Sequence, residues 1–180
     1  MSVRGTVVLS HGLESSPQSN KIRTLKPLAQ DRGWKVVTPD YRSTNDPAER
    51  VDILLQQARS INGVLLLAGS SMGGLVSVVA SRSLQVSGLF LIAPAVYFPG
   101  YEDEDYSAHV DGPISIIHGW SDTTCPIEGS QRFARENSGR LVAIEGDHLL
   151  HHVMPDVATE FVLWLDHCTA SLASKSGSVQ

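Results

Sequence analysis

The sequence is poor in cysteine: Cys125 and Cys168 are the only two in 180 residues. Two isolated cysteines supply neither a disulfide framework nor the spacing of a metal-binding pair. Disulfide-dependent secreted folds are therefore disfavoured, and the sequence predicts a protein of the reducing cytoplasm.

Long apolar runs and basic clusters are also missing. No stretch approaches the roughly 18 consecutive apolar residues of a membrane span, and the first residues lack the pattern of a signal peptide. The 14 Lys and Arg residues form no run, and the formal net charge is −5, which argues against a nucleic-acid partner. The nearest basic cluster, Lys21, Arg23 and Lys26, is interpreted as a solvated helix face. We expect neither a nucleic-acid nor a membrane partner, and the oligomeric state stays open.

What the chain does contain is an alternation of short apolar runs with amphipathic segments. Such runs, several of them almost wholly apolar, are typical of parallel strands that are covered on both faces. The predicted strands are residues 4–9, 34–38, 63–68, 87–92, 113–118 and 140–145. This alternation predicts an α/β fold: a doubly wound, mainly parallel six-stranded sheet with helices on both faces.

Local signals place the helices between these strands. Asp46 followed by Pro47 predicts a helix start, since an Asp cap and a proline in the first turn are both favoured there. A second helix is expected from Pro126 to about 137–139, and a last one from near Pro155. Pro27 is expected to kink or divide the first helix. We predict one domain over residues 1–168 and a flexible tail over the Ser- and Gly-rich residues 169–180.

The third apolar run ends abruptly in Gly69-Ser70-Ser71-Met72-Gly73 and is followed by a helix-like segment. A Gly-x-Ser-x-Gly pattern is weak by itself, but a strand before it and a helix after it are the setting of a strained turn that exposes a nucleophilic serine. The sequence therefore predicts Ser71 as a nucleophile and the amide of Met72 as one oxyanion donor.

The loops after the fifth and sixth strands supply an acid and a base in the order that a serine nucleophile requires. Asp122 is predicted to orient the histidine, with a turn or capping role as the alternative. His148 is predicted as the base, in preference to His151 and His152, which are expected to face solvent or the pocket rim. A metal site built from Asp147 and these histidines is a competing interpretation, without a supporting Cys or zinc motif.

The first strand is followed by His11-Gly12-Leu13. Acyl transfer needs donors aimed at the developing oxyanion, and the amide of Leu13 is predicted as the second donor. A plain turn that merely needs Gly12 is the alternative interpretation of this segment.

Taken together, these motifs resemble the α/β hydrolase superfamily. The oxyanion, nucleophile, acid and base segments occur in order at 11–13, 69–73, 118–122 and 147–148. The segment 11–21 is more narrowly similar to the opening of small, lidless bacterial esterases and acyl-CoA thioesterases. Residue 4 already begins the predicted strand before the oxyanion loop, so we expect no counterpart of the fold's usual first two strands. Residues 94–112 are expected to be too short for a helical lid.

The resemblance implies a carboxylesterase-type serine hydrolase that acts on a small acyl ester or thioester and needs no cofactor or metal. A thioesterase or amidase with the same triad, and a non-catalytic binding protein on this fold, stay open. A lidless site favours short acyl esters. The acidic run 102–105 disfavours a CoA ester, with a solvated loop as the alternative interpretation of that run. Core packing is an equal alternative for each aromatic among the expected substrate-contacting residues. These residues are His11, Leu13, Glu14, Ser15, Tyr97, Phe98, Trp120 and Leu149.

Overall fold

The fold is built around a single parallel β-sheet. The computed structural model describes residues 4–101 and 104–177, and within them the sheet has six strands in the order β2-β1-β3-β4-β5-β6. The strands are β1 (Gly5–Ser10), β2 (Trp34–Val37), β3 (Leu65–Ser70), β4 (Leu89–Ile92), β5 (Ile114–Gly119) and β6 (Arg140–Ile144). Neighbouring strands all pair in parallel, so their carboxyl ends meet at one edge of the sheet.

Helices cover both faces of this sheet, as the almost wholly apolar strands require. They are α1 (Asn20–Asp31), α2 (Pro47–Ala58), α3 (Met72–Ser81), α4 (Ile127–Glu136) and α5 (Met154–Gly177), with a short 3-10 turn at His151–Val153. One core cluster joins the sheet to α2, α3 and α4 through residues such as Leu54, Leu75 and Phe133. The other joins it to α1 and α5 through residues such as Leu25 and Trp164. The doubly wound α/β prediction is confirmed.

The local helix signals agree closely with the structure. Asp46 caps α2 by accepting a hydrogen bond from the amide of Ala48. α4 begins directly after Pro126 and ends at Glu136. The expected division of the first helix at Pro27 is wrong, because α1 continues through that residue as one helix, while the alternative of a kink there stays a prediction.

The prediction of a flexible tail from residue 169 is wrong for residues 169–177, which continue α5. Their Ser- and Gly-rich composition concealed a contact with the core, because Leu172 packs against the cluster beneath α1 and α5. The Lys175 ammonium also donates to the carbonyl oxygen of Asp111. Residues 178–180 lie outside the described residues.

Other sequence predictions concern the surface. The acidic run 102–105 lies partly outside the described residues, and its described members Glu104 and Asp105 form ion pairs with Arg82. Among the residues that the structure describes, no helix combines the length and apolar character needed to cross a membrane.

Candidate active site

Ser71 occupies a strained turn between β3 and α3. Its φ of 54° and ψ of −122° lie in a region that residues with a side chain rarely adopt. The turn is closed by two glycines: a Cβ at Gly69 would lie 2.1 Å from the carbonyl oxygen of Gly73. A Cβ at Gly73 would lie 2.3 Å from the carbonyl oxygen of Ser10. The glycines of the motif are thus required because strand, turn and helix pass each other too closely for any side chain.

The backbone around Ser71 is anchored to the neighbouring strand. The amide of Ser71 donates to the carbonyl of Ile92 at 3.0 Å, and the amide of Ala95 donates to the carbonyl of Ser71 at 3.1 Å. Met72 is the first residue of α3, and the first amides of a helix have no partner within it. The Met72 amide therefore lies at the positive end of the helix dipole, directly beside the serine.

Asp122 and His148 are brought together from the ends of β5 and β6. His148 Nδ1 donates to Asp122 Oδ2 at 2.7 Å. The Asp122 side chain is fully buried, whereas that of His148 is 17% exposed. The carboxylate fixes the ring so that its other nitrogen is free for proton transfer.

A second histidine, His118 on β5, binds the same carboxylate oxygen. Its Nε2 lies 3.1 Å from Asp122 Oδ2 and donates to the carbonyl of Cys125 at 2.8 Å. On its other side, Nδ1 lies 2.7 Å from the hydroxyl of Ser130 on α4. His118 was not predicted from the sequence to have a role of its own, although its i,i+4 spacing from Asp122 is a signal for one.

The Asp122 carboxylate is saturated with donors. Its Oδ1 accepts from the amides of Thr124 and Cys125 at 2.9 and 2.8 Å. Burial alone would raise the pKa of Asp122, but hydrogen bonds from the two histidines and from the backbone hold that pKa well below its usual range. The group is therefore an ionised carboxylate at neutral pH.

Cys125 connects the Asp122 loop to the serine. Burial, together with the charge of Asp122, raises the pKa of the Cys125 thiol to about 11, while a hydrogen bond with the Ser71 hydroxyl acts in the opposite direction. The serine side chain therefore lies close to the thiol of the loop that holds the carboxylate. A protonated, buried thiol is a poor nucleophile.

The loop after β1 lies beside the serine. A Cβ at Gly12 would lie 3.5 Å from the Cβ and 4.0 Å from the Oγ of Ser71. His11, predicted to contact substrate, is only 1% exposed. Its Nδ1 donates to the carbonyl of Gly12 at 2.8 Å, and its Nε2 accepts from the amide of Tyr41 at 3.0 Å. The substrate-contact prediction for His11 is wrong, because both ring nitrogens are committed to the backbone behind the loop.

Arg50 reaches this loop from α2. The fully buried guanidinium donates to the carbonyls of Gly12 and Leu13, each at 3.2 Å, and to that of Thr44 at 3.0 Å. It also lies 5.5 Å from the centre of the Tyr41 ring. A role for Arg50 was not predicted from the sequence, because the loop residues that it binds are distant along the chain.

Three apolar side chains from different loops stand exposed at the carboxyl edge of the sheet. Leu13, Trp120 and Leu149 are 38%, 57% and 50% exposed and follow β1, β5 and β6. Glu14 is exposed and Ser15 half-buried on the first of these loops.

Tyr97 and Phe98, also predicted pocket residues, are half-buried against the core cluster on the α4 side. Tyr97 lines a cavity of about 300 Å³ between the loop after β4 and the first turn of α4, together with Val96 and Pro126. The structure does not place Phe98 in that lining.

The alternative metal site finds no matching geometry. Asp147 Oδ1 accepts from the amides of Leu149 and Leu150, and His151 and His152 are exposed. Within residues 4–101 and 104–177, no three His, Cys, Asp or Glu side chains converge as a metal site would require.

Lys21 departs from the solvated face expected for it. Its side chain is half-buried in the first turn of α1, and burial lowers the pKa of its ammonium. The charges of Asp122 and Asp147 act in the opposite direction and raise that pKa. A cation therefore stands within electrostatic reach of the carboxylate that binds His148.

Comparison with solved structures gives the same fold. A protein from Xanthomonas campestris pv. campestris, assigned as a hydrolase of the alpha/beta superfamily, is 29% identical, with a TM-score of 0.84 over 91% of this chain and 99% of its own. Est1E from Butyrivibrio proteoclasticus is 16% identical, with a TM-score of 0.82 over 94% of this chain and 90% of its own. The Pyrococcus furiosus esterase Pf2001 is 15% identical, with a TM-score of 0.73 over 91% and 83%.

Sequence comparison adds the family. No curated protein matches the chain. The model of the family described as "Uncharacterised protein family (UPF0227)" matches residues 6–113, which include the oxyanion loop and the serine turn. The chain belongs to the UPF0227 family and has the fold of the alpha/beta hydrolase superfamily.

Proposed function

We propose that the protein is a serine hydrolase that cleaves small carboxylic esters through an acyl-enzyme on Ser71. The observation that carries the proposal is the 2.7 Å hydrogen bond from His148 to the buried carboxylate of Asp122, at the same sheet edge as the strained serine turn. An ionised carboxylate that orients a partly exposed imidazole is the arrangement that activates a serine hydroxyl.

In the proposed mechanism, Ser71 Oγ forms a bond to the carbonyl carbon while His148 Nε2 accepts the hydroxyl proton. The carbonyl oxygen gains the negative charge, and the amides of Met72 and Leu13 stabilise it. The bond from carbon to the alkoxide oxygen then breaks, and the imidazolium gives its proton to that oxygen, which leaves as the alcohol. Water, deprotonated by His148, then adds to the acyl carbon, the bond from that carbon to Ser71 Oγ breaks, and the imidazolium gives its proton to Oγ, which releases the acid and restores the serine.

The surroundings favour an ester with an apolar part of modest size. The side chains of Leu13, Trp120 and Leu149 are exposed on loops at this edge of the sheet, and an open apolar surface suits a small substrate better than a deeply buried chain. One structural neighbour, Pf2001, is named an esterase, and another, Est1E, has been described with bound ferulic acid. They support an ester as the substrate class.

The test is labelling by a fluorophosphonate, which reacts with activated serines, followed by intact mass measurement. We expect one adduct on the wild-type protein and on Ser70→Ala, and none on Ser71→Ala. Ser70 is the matched control because it is the neighbouring residue at the end of β3. A folded wild-type protein that gains no adduct would contradict the proposal.

A panel of p-nitrophenyl esters, an acyl thioester and an anilide then separates the reaction classes. The proposal predicts the highest kcat/KM for the short-chain esters and no turnover by Ser71→Ala. Turnover of the thioester well above that of every ester would replace the ester assignment and leave the serine mechanism in place.

A further inference from the structure

Arg50 places a positive charge in the protein interior, where an unpaired charge is energetically unfavourable. Its side chain is fully buried, yet within the described residues it has no carboxylate at ion-pairing distance, and its hydrogen bonds go to backbone carbonyls alone. Burial lowers the pKa of the guanidinium. Burying a charge without an opposite charge is costly, so a role for this guanidinium must be sought in the groups that it binds.

Those groups belong to the loop beside Ser71. Arg50 Nη1 donates to the carbonyl of Gly12, which also accepts from His11 Nδ1 at 2.8 Å. One carbonyl oxygen is thus held by two side-chain donors, one from the preceding residue of the loop and one from α2. The carbonyl of Leu13, the next along the chain, is held by Arg50 Nη2.

The Gly12 carbonyl shares its peptide group with the amide of Leu13. The described residues contain no cis peptide bond, and in a trans peptide the carbonyl and the amide N–H point in opposite directions. Holding the carbonyl toward α2 therefore turns the Leu13 N–H away from it. Hydrogen bonds to a carbonyl also polarise the amide and strengthen its N–H as a donor.

The ring of His11 has the tautomer that allows it to donate to the Gly12 carbonyl. Because a carbonyl can only accept, Nδ1 carries the proton, and because Nε2 accepts from the amide of Tyr41, Nε2 does not. Burial, with a contribution from the charge of Arg50, lowers the pKa of His11 and supports this neutral ring.

We propose that Arg50 is a positioning residue of the oxyanion hole: with His11, it fixes and polarises the peptide whose N–H is donated by Leu13. The inference rests on the proposed function, since it needs an oxyanion to form at Ser71. Arg50 itself does not touch the substrate and acts through the peptide group.

The experiment compares Arg50→Met and Arg50→Lys with wild type. Rates are expressed per active serine, and the active serines are counted by the end-point of fluorophosphonate labelling. Unfolded protein therefore does not count toward the enzyme concentration. For Arg50→Met we expect kcat on a p-nitrophenyl ester to fall about 10- to 100-fold at unchanged KM, approaching the loss of one oxyanion donor. Arg50→Lys keeps the charge but not the forked donor geometry. Its kcat should therefore lie between that of the wild type and that of Arg50→Met.

The affinity for a transition-state analogue is a second measurement. It would not change if Arg50 only stabilised the fold. An aryl trifluoromethyl ketone adds to the serine and places a negative oxygen in the oxyanion hole. Its affinity should weaken by the same factor as kcat/KM in each Arg50 variant. Arg59→Gln, at the exposed C-terminal cap of the same helix, is the matched control and should leave both quantities unchanged.

The outcomes separate the two proposals. If the wild type is labelled and active but Arg50→Met has wild-type kcat and ketone affinity per active serine, Arg50 merely stabilises the fold and the inference is overturned. If Arg50→Met yields too little folded protein, Arg50→Lys decides in the same way. A wild type that is neither labelled nor active overturns the proposed function, and this inference with it.

Discussion

His148 and His151 are close in sequence but differ in their surroundings. His148 is tied to the buried carboxylate of Asp122, whereas His151 is exposed in the 3-10 turn. His148→Ala should lower kcat for ester hydrolysis by at least about three orders of magnitude, as expected for the loss of the base. His151→Ala should stay near the wild-type value. The reverse result in a steady-state assay would show that the base was assigned to the wrong histidine.

Asp122 should couple stability to pH. Although burial would raise it, the pKa of Asp122 is lowered in the folded state by hydrogen bonds from the two histidines and the backbone. A lowered folded-state pKa stabilises the protein above the unfolded pKa of about 3.9, and this stabilisation is lost as the pH falls through the folded pKa.

Urea unfolding tests this coupling with Asp122→Asn. The stability difference between wild type and Asp122→Asn should therefore shrink from pH 7 to pH 3. Asp52→Asn on the exposed face of α2 serves as control. A difference that is constant with pH would argue against an ionised Asp122.

At the scale of elements, the serine turn depends on close backbone approach between β3 and α3. Gly69→Ala would place its Cβ 2.1 Å from the Gly73 carbonyl, so strand and helix must separate. We expect a loss of about 3 kcal/mol or more in the free energy of unfolding, the upper range for overpacking. Gly63→Ala has a φ of +88° but open space, and should lose only about 1 kcal/mol from backbone strain. Equal losses in denaturant unfolding would mean that crowding at the turn is relieved cheaply.

The last helix offers a similar comparison. Leu172 packs against the core cluster shared by α1 and α5, whereas Leu163 on the same helix is 44% exposed. Leu172→Ala should destabilise the protein by about 1 kcal/mol, the value for partial burial of an aliphatic side chain. Leu163→Ala should change stability by less than about 0.5 kcal/mol. If thermal unfolding shows no difference between the two, residues beyond Cys168 do not support the fold.

At the scale of the whole molecule, no disulfide joins the two cysteines of the fold. Both cysteines are buried and unpaired, and burial raises their pKa values, to about 11 for Cys125 and about 12 for Cys168. Ellman's reagent should therefore detect almost no thiol in the native protein and both thiols in guanidinium chloride. Rapid reaction of one thiol in the native state would reveal an opening near Ser71 or beneath α5.

The sheet and its loops could be predicted because local signals specify them. Apolar runs mark the strands, and the residues directly after β1, β3, β5 and β6 meet at one edge through parallel pairing alone. Arg50 could not be predicted, since a charged residue on an amphipathic helix is normally solvated and its carbonyl partners lie on a distant loop. The extension of α5 was missed because a single apolar residue, Leu172, holds a polar segment to the core.

The position of β6 affects the order in which the molecule can be built during synthesis. β6 is an edge strand that pairs with β5 alone, and its residues are only partly buried. The last elements of the chain therefore complete the structure: β6 ends this side of the sheet, and α5 after it covers one face with Phe161 and Trp164. The loop with His148 lies between these two elements. A chain arrested before β6 would lack both the proposed base and the helix that buries one face of its sheet, so it would expose apolar strand residues and have no activity.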